Sequence, residues 1–144
     1  MLRIERVDYL DPIQMADLLM LLDRYAQDPM GGAEPLSAEC RQNLSGALQQ
    51  CPTAISLIAY QNGQPAGLLN AFQSVSTFAA RPLINVHDLA VLPECRGQGI
   101  ATALLQHIEE IAREQGCCKL TLEVLSGNQT AQRTYLRNGF AGYE

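Results

Sequence analysis

Val86-His87-Asp88-Leu89-Ala90-Val91-Leu92-Pro93-Glu94-Cys95-Arg96-Gly97-Gln98-Gly99-Ile100-Ala101 is the stretch whose reading decides the fold. Its first part belongs to an apolar segment, Leu83 to Leu92, that reads as a strand. Pro93 to Gly99 form a loop, and Ile100, Leu104, Ile108 and Ile111 then fall on one face of a long helix. A strand that feeds a glycine loop opening directly into a helix suits anion binding. The amides of a first helical turn point out of the helix end, and the helix dipole adds partial positive charge there. Gly97 and Gly99 remove side chains that would keep a phosphate from the backbone, and Arg96 adds charge at the rim.

Working outward, Gly116 closes the helix and Lys119 to Leu125 alternates as a strand, which makes a strand–helix–strand crossover. Ser126-Gly127-Asn128 turns into a short helix, Gln129 to Arg137, and Phe140 to Glu144 begin one more strand. Upstream, Ala54 to Tyr60 and Pro65 to Thr77 are strand-like runs joined by Gln61-Asn62-Gly63-Gln64, and Asn-Gly between such runs signals a hairpin. Leu2 to Asp8 alternates as a half-buried strand. Asp11 caps a helix with Pro12 at its first position, with Ile13, Ala16, Leu19, Met20 and Leu22 as its apolar positions. A second helix runs from Ser37 to about Gln50, with Cys40 where a capping-box Glu would stand. The order is that of a single mixed α/β domain over residues 1–144, with no internal repeat or linker.

Composition narrows the function. Apolar residues make up 47% and charged residues 17% of the 144, a globular balance with material for a core. The net charge is −5, and nine of the ten basic residues are arginine, Lys119 being the exception. An acidic surface does not recruit a phosphate backbone, so nucleic acid is not an expected partner. No apolar run reaches the ~20 residues of a membrane span, and the N-terminal segment MLRIERVDYLD carries acids and does not read as a signal peptide, so a soluble cytoplasmic protein is expected. Cys40, Cys51, Cys95, Cys117 and Cys118 lack metal-ligand spacing and read as free, buried thiols, with no metal expected.

Two common phosphate loops are excluded. A Walker loop ends in Gly-Lys-Ser/Thr, and the one lysine lies elsewhere; a dinucleotide fingerprint needs a third glycine where Thr102 stands, and belongs on the first strand–helix unit. The stretch instead resembles the pyrophosphate loop of the GNAT superfamily of acyl-coenzyme-A-dependent N-acetyltransferases, Gln/Arg-x-x-Gly-x-Gly/Ala, at every fixed position of Arg96 to Ala101. His87-Asp88-Leu89-Ala90-Val91 is similar to that family's fourth strand. Asn128-x-x-Ala131-x-x-x-Tyr135-x-x-x-Gly139-Phe140 is similar to its second motif, and the element order agrees.

The resemblance implies an α/β fold around a mostly antiparallel sheet with splayed fourth and fifth strands and flanking helices. It implies acetyl-CoA as cofactor, with backbone groups of Leu89, Ala90 and Val91 holding the pantetheine arm. Arg96 and the amides of Gly97, Gln98, Gly99, Ile100, Ala101 and Thr102 would take the pyrophosphate, and Asn128 would contact the arm. Tyr135 would stand near the thioester sulfur and protonate the leaving thiolate, since a phenol of pKa ~10 holds its proton at neutral pH. His87 occupies a position where family members place a glutamate base, and its ordinary pKa of ~6.5 suits that task; Glu94 and Glu123 are weaker candidates. His87 and Asp88 alternate, so only one of them faces the cleft unless a bulge intervenes, and Asp88 reads as an anchor of the loop.

The acceptor site is walled in the family by the first two helices and the loop between them, here Tyr25 to Leu36, and by residues near Phe72 to Arg81. Asp28 and Glu34 would attract an ammonium group, and Arg81 would grip a carboxylate. The expected activity is acetyl transfer to a primary amine of a small molecule. Alternatives are a non-catalytic acyl-CoA sensor or an acetyltransferase of protein N-termini or lysines. Family members follow Gly-Phe with a strand, a turn and a last strand, so the expectation is that this terminal strand is missing or is supplied by a partner chain, as in a homodimer.

Overall fold

A computed structural model of the chain describes residues 1–28 and 32–122. The described elements are β1 (Leu2–Arg6), α1 (Pro12–Gln27), α2 (Ala38–Gln49), β2 (Ala54–Gln61), β3 (Gln64–Ser76), β4 (Arg81–Val91), a 3-10 turn at Pro93–Cys95, α3 (Ile100–Glu114) and β5 (Leu120–Leu122). They form one five-stranded sheet in the order β1-β2-β3-β4-β5, antiparallel throughout except for the parallel β4–β5 pair across the α3 crossover. The mixed α/β fold with a mostly antiparallel sheet is therefore as expected. β5 pairs with Ile84 to Val86 of β4; the level at which a splay would open lies beyond Leu122, outside the described residues. So do the short helix Gln129 to Arg137 and the terminal strand.

The local signals act where the residues put them. The Asp11 carboxylate accepts from the amides of Ile13 (2.9 Å) and Gln14 (3.3 Å) and so caps α1. Ser37 accepts from the Cys40 amide at 3.0 Å and starts α2. Asn62 and Gly63 both have positive φ, 52° and 82°, the backbone that a two-residue hairpin turn requires.

Both faces of the sheet are covered. On one face α3 packs Ile100, Leu104, Leu105 and Ile108 against Leu57, Leu69, Ile84 and Val86. On the other, α1 and α2 pack Met15, Leu18, Leu21 and Leu48 against Ile58, Tyr60 and Leu68. This explains why β2 is buried along nearly its whole length and reads as a continuous apolar run. α1 turns a different face inward than its apolar positions suggest: Met15, Leu18 and Leu21 are buried, whereas Ile13 and Met20 are exposed. Apolar residues occur all round this helix, so the pattern alone does not choose the face; contact with β3 and β4 does. The five cysteines are free, as expected, but half-buried rather than buried.

One irregularity matters for function. Asn70 pairs with Asp88 and Ala71 with Val86, so His87 is an extra residue in β4. Val86 and Leu89 both pack on the α3 side, and the phase of the strand flips between them. His87 and Asp88 consequently share the α1 side: the His87 ring meets Phe72 edge-on at 5.5 Å, and Asp88 bonds to Asn70.

Candidate functional site

β4 ends at Val91, and the chain then makes the 3-10 turn and enters α3. Gly97 (φ 80°) and Gly99 (φ 79°) hold the left-handed backbone of the loop, and a Cβ built on either meets no protein atom within 4 Å. Both glycines thus serve the turn and leave the loop surface open to a ligand. Gly99 is the N-cap of α3 and offers no side-chain cap. The first helical bond runs from Ala103 to the Gly99 carbonyl at 3.0 Å, so the amides of Ile100 to Thr102 precede it. Ile100 itself is buried in the α3-side core, so that only its backbone can serve a ligand.

Beside this loop lies a cleft of about 270 Å³, walled by Leu21, Arg24, Tyr25 and Gln27 of α1, by Asp28 at its C-cap, and by Ala90, Val91, Leu92, Pro93 and Arg96. Arg96 reaches across it: Nε donates to the Val91 carbonyl at 3.3 Å and Nη2 lies 3.4 Å from Asp28 Oδ2. Arg24 closes the same seam with a two-pronged pair to Glu94, 2.7 and 3.0 Å. That hydrogen-bonded guanidinium holds the Glu94 carboxyl below its usual range, and Glu94 serves as a tie between α1 and the loop. Tyr25 is pushed up from its ordinary pKa by burial first and then by the charges of Asp88 and Asp28. Gln98 accepts from the Gln61 amide at 3.2 Å, which fastens the loop to the end of β2.

The structure brings together Ala90, Val91, Arg96 and the 97–102 backbone, with Asp28 opposite. Leu89 packs toward α3, away from the cleft wall. His87 is exposed on the α1 side. Glu34 is exposed and does not line the cleft. Arg81 stands at the opposite end of β4, where Nε and Nη2 donate to the Gly116 carbonyl at 3.3 and 2.9 Å, capping the C-terminus of α3. Asp88 is anchored to Asn70 on β3 and not to the loop. Glu123, Asn128 and Tyr135 lie outside the described residues. Tyr25 stands in the segment expected to wall the acceptor site, whereas Arg24, Gln61 and Asn70 carry no site signal in the sequence; their roles depend on which strands and helices lie side by side.

The arrangement is chemically an anion cradle beside a cleft of mixed polar and apolar lining, with Asp28 on its far wall. It is also shared. Residues 18–140 match the model of the acetyltransferase (GNAT) family. Streptothricin acetyltransferase of Streptomyces lavendulae is 40% identical over 75 residues, 52% of this chain and 40% of that protein. Thialysine N-epsilon-acetyltransferase of Bos taurus is 40% identical over 62 residues, 43% of this chain and 36% of that protein. The matched stretches thus span well under half of those two relatives' lengths. Among solved structures, an aminoglycoside acetyltransferase from an uncultured soil metagenomic sample, in complex with sisomicin, superposes with a TM-score of 0.82 at 21% identity, covering 99% of this chain and 90% of that one. Ribosomal-protein-alanine N-acetyltransferase from Brucella melitensis biovar Abortus 2308 gives 0.82 at 21% identity, covering 100% and 95%. At that identity the likeness is one of fold.

Proposed function

The chain belongs to the GNAT acetyltransferase family, and from that premise we propose that it transfers an acetyl group from acetyl-CoA directly to a primary amine of a small cationic molecule. The observation that carries the proposal is the helix N-terminus at Gly99, an N-cap with no side chain of its own, in a loop of two positive-φ glycines flanked by Arg96. A diphosphate would lie against Gly97 and Gly99, where a Cβ meets no protein atom, with the amides of Gly97 to Ala101 and the Arg96 guanidinium as its donors.

Acetyl-CoA supplies an acetyl group activated as a thioester; the rest falls to the chain. Ala90 and Val91, on the cleft wall, would hold the pantetheine arm, with Asn128 beside it. Tyr135 would give its proton to the departing thiolate, and His87, on the α1 side of the bulge, would take one from the amine. The small acceptor is supported by the substrates named for the two curated relatives. The positive charge is supported by the net charge of −5 and by Asp28 on the cleft wall.

The test is thiol release from acetyl-CoA across a panel of amines, run beside calorimetry with CoA. Turnover confined to cationic small amines is expected. Tight CoA binding without turnover on any amine would overturn the enzyme and leave an acyl-CoA sensor. Turnover on peptide N-termini or lysines alone would replace the acceptor class.

A further inference from the structure

Ser56 and Asn70 are the two buried polar side chains among the described residues, 1% and 7% exposed, and they sit in mid-sheet, away from the anion cradle. They belong to a chain of hydrogen bonds that crosses β2, β3 and β4. The Tyr9 hydroxyl lies 2.9 Å from Ser56 Oγ, Ser56 Oγ donates to Asn70 Oδ1 at 2.6 Å, and Asn70 Nδ2 donates to Asp88 Oδ2 at 3.2 Å. An amide oxygen only accepts, so Ser56 spends its single proton on Asn70, and Tyr9 must be the donor to Ser56. Burial raises the Tyr9 pKa, so that proton stays in place. With its oxygen held by Ser56, the Asn70 amide has one orientation left, NH₂ toward Asp88.

All donors therefore point one way, and the chain ends on a half-buried carboxylate. The chain also satisfies the polar groups of Ser56 and Asn70, which burial would otherwise leave unpaired. It delivers its donors to the Asp88 charge. Asp88 stands one pleat before Ala90 on the same side of β4, roughly 7 Å along the strand, and its charge reaches Tyr25 on the cleft wall. Around it, α1 contributes Tyr25 and Asp28, its own strand contributes His87, and Tyr9 closes the far end with Arg6 nearby.

We propose that Ser56 and Asn70 are positioning residues for Asp88, aiming its carboxylate at the cleft beside Ala90 as the anchor for the ammonium group of the acceptor. The proposal deepens the acetyltransferase reading and rests on it for the identity of the bound amine.

The test is calorimetry of the CoA-saturated protein with cadaverine as the cationic probe and pentanol as its neutral counterpart, on wild type, Ser56→Ala, Asn70→Asp and Asp88→Asn, with thermal melts and amine-dependent thiol release in parallel. Wild type is expected to bind cadaverine and not pentanol. Ser56→Ala frees the Asn70 amide to turn and is expected to weaken cadaverine about fivefold to tenfold, a hydrogen bond's worth, with CoA affinity unchanged. Asn70→Asp sets a second carboxylate against Asp88 and disturbs its aim, and Asp88→Asn removes the charge; both are expected to weaken cadaverine more than Ser56→Ala does. A structural role alone would lower the melting temperature and move CoA and cadaverine together. Should Asn70→Asp fail to fold, Ser56→Ala decides. Cadaverine affinity that ignores Ser56→Ala, or absence of cadaverine binding to wild type, overturns the inference even where thiol release is found. Cadaverine binding in the expected pattern with no thiol release from any amine supports the inference and overturns the acetyltransferase reading alone.

Discussion

His87 and Asp88 show how much a single inserted residue decides. Both are plain in the sequence, and strict alternation would send them to opposite faces. The bulge opposite Asn70 and Ala71 puts both on the α1 side. No local pattern in β4 encodes it, because a bulge is a property of the pairing with β3. By contrast, the Asp11 cap was legible, since an N-cap is decided within four residues of chain. Tyr60 gives a prediction at this scale. Burial, followed by donation to Asp17 Oδ2 at 2.8 Å, raises its pKa well above the ordinary 10.0. The folded state then keeps a proton that the unfolded chain gives up. The stabilisation is fully present below about pH 10 and is lost as pH rises toward the folded value. Denaturant unfolding between about pH 8 and pH 11 should show a decline above pH 10, and Tyr60→Phe should make it shallower. An identical decline in both proteins would contradict this account of Tyr60.

At the scale of elements, the site depends on how closely α3 approaches β3 and β4. A Cβ on Gly67 would lie 3.1 Å from the Ala90 carbonyl oxygen, 3.1 Å from Ile100 Cγ2 and 3.4 Å from Leu104 Cδ1. Gly67 is thus the point where the backbone of β3 admits the first turn of the helix that forms the cradle. Gly67→Val should cost about 1–3 kcal/mol through overpacking. It should also weaken CoA binding, because Ile100 and the amides after it shift together. Lost stability with unchanged CoA affinity, read by melting and calorimetry, would separate the two and contradict the coupling. The strand–loop–helix unit itself was readable, because Pro93, Gly97 and Gly99 punctuate it. The inward face of α1 was not, because Ile13 and Met20 are as apolar as Met15 and Leu18, and only the neighbouring strands choose between them. Nor was the Arg24–Glu94 tie, whose partners stand 70 residues apart.

For the whole molecule, the sheet separates two cores that do not share side chains. Leu18 belongs to the α1 and α2 side and Leu104 to the α3 side, both fully buried. Leu18→Ala and Leu104→Ala should each cost about 2–5 kcal/mol. Lying across the sheet from one another, they should add within about 0.5 kcal/mol in the double variant. A larger coupling in denaturant unfolding would mean that the two cores relax as one. The cleft sits where β4 leaves this sandwich, with α1 on one side and the α3 N-terminus on the other, so one fold presents Asp28 and an anion cradle to the same space. The central claim is that the cradle from Arg96 to Thr102 holds the diphosphate of coenzyme A. Calorimetric titration with CoA and with pantetheine, which has the thiol arm but no diphosphate, tests it most directly. CoA should bind at least about a hundredfold more tightly, the scale of several charge-assisted hydrogen bonds, and Arg96→Ala should narrow the gap; equal affinity for the two ligands would contradict it.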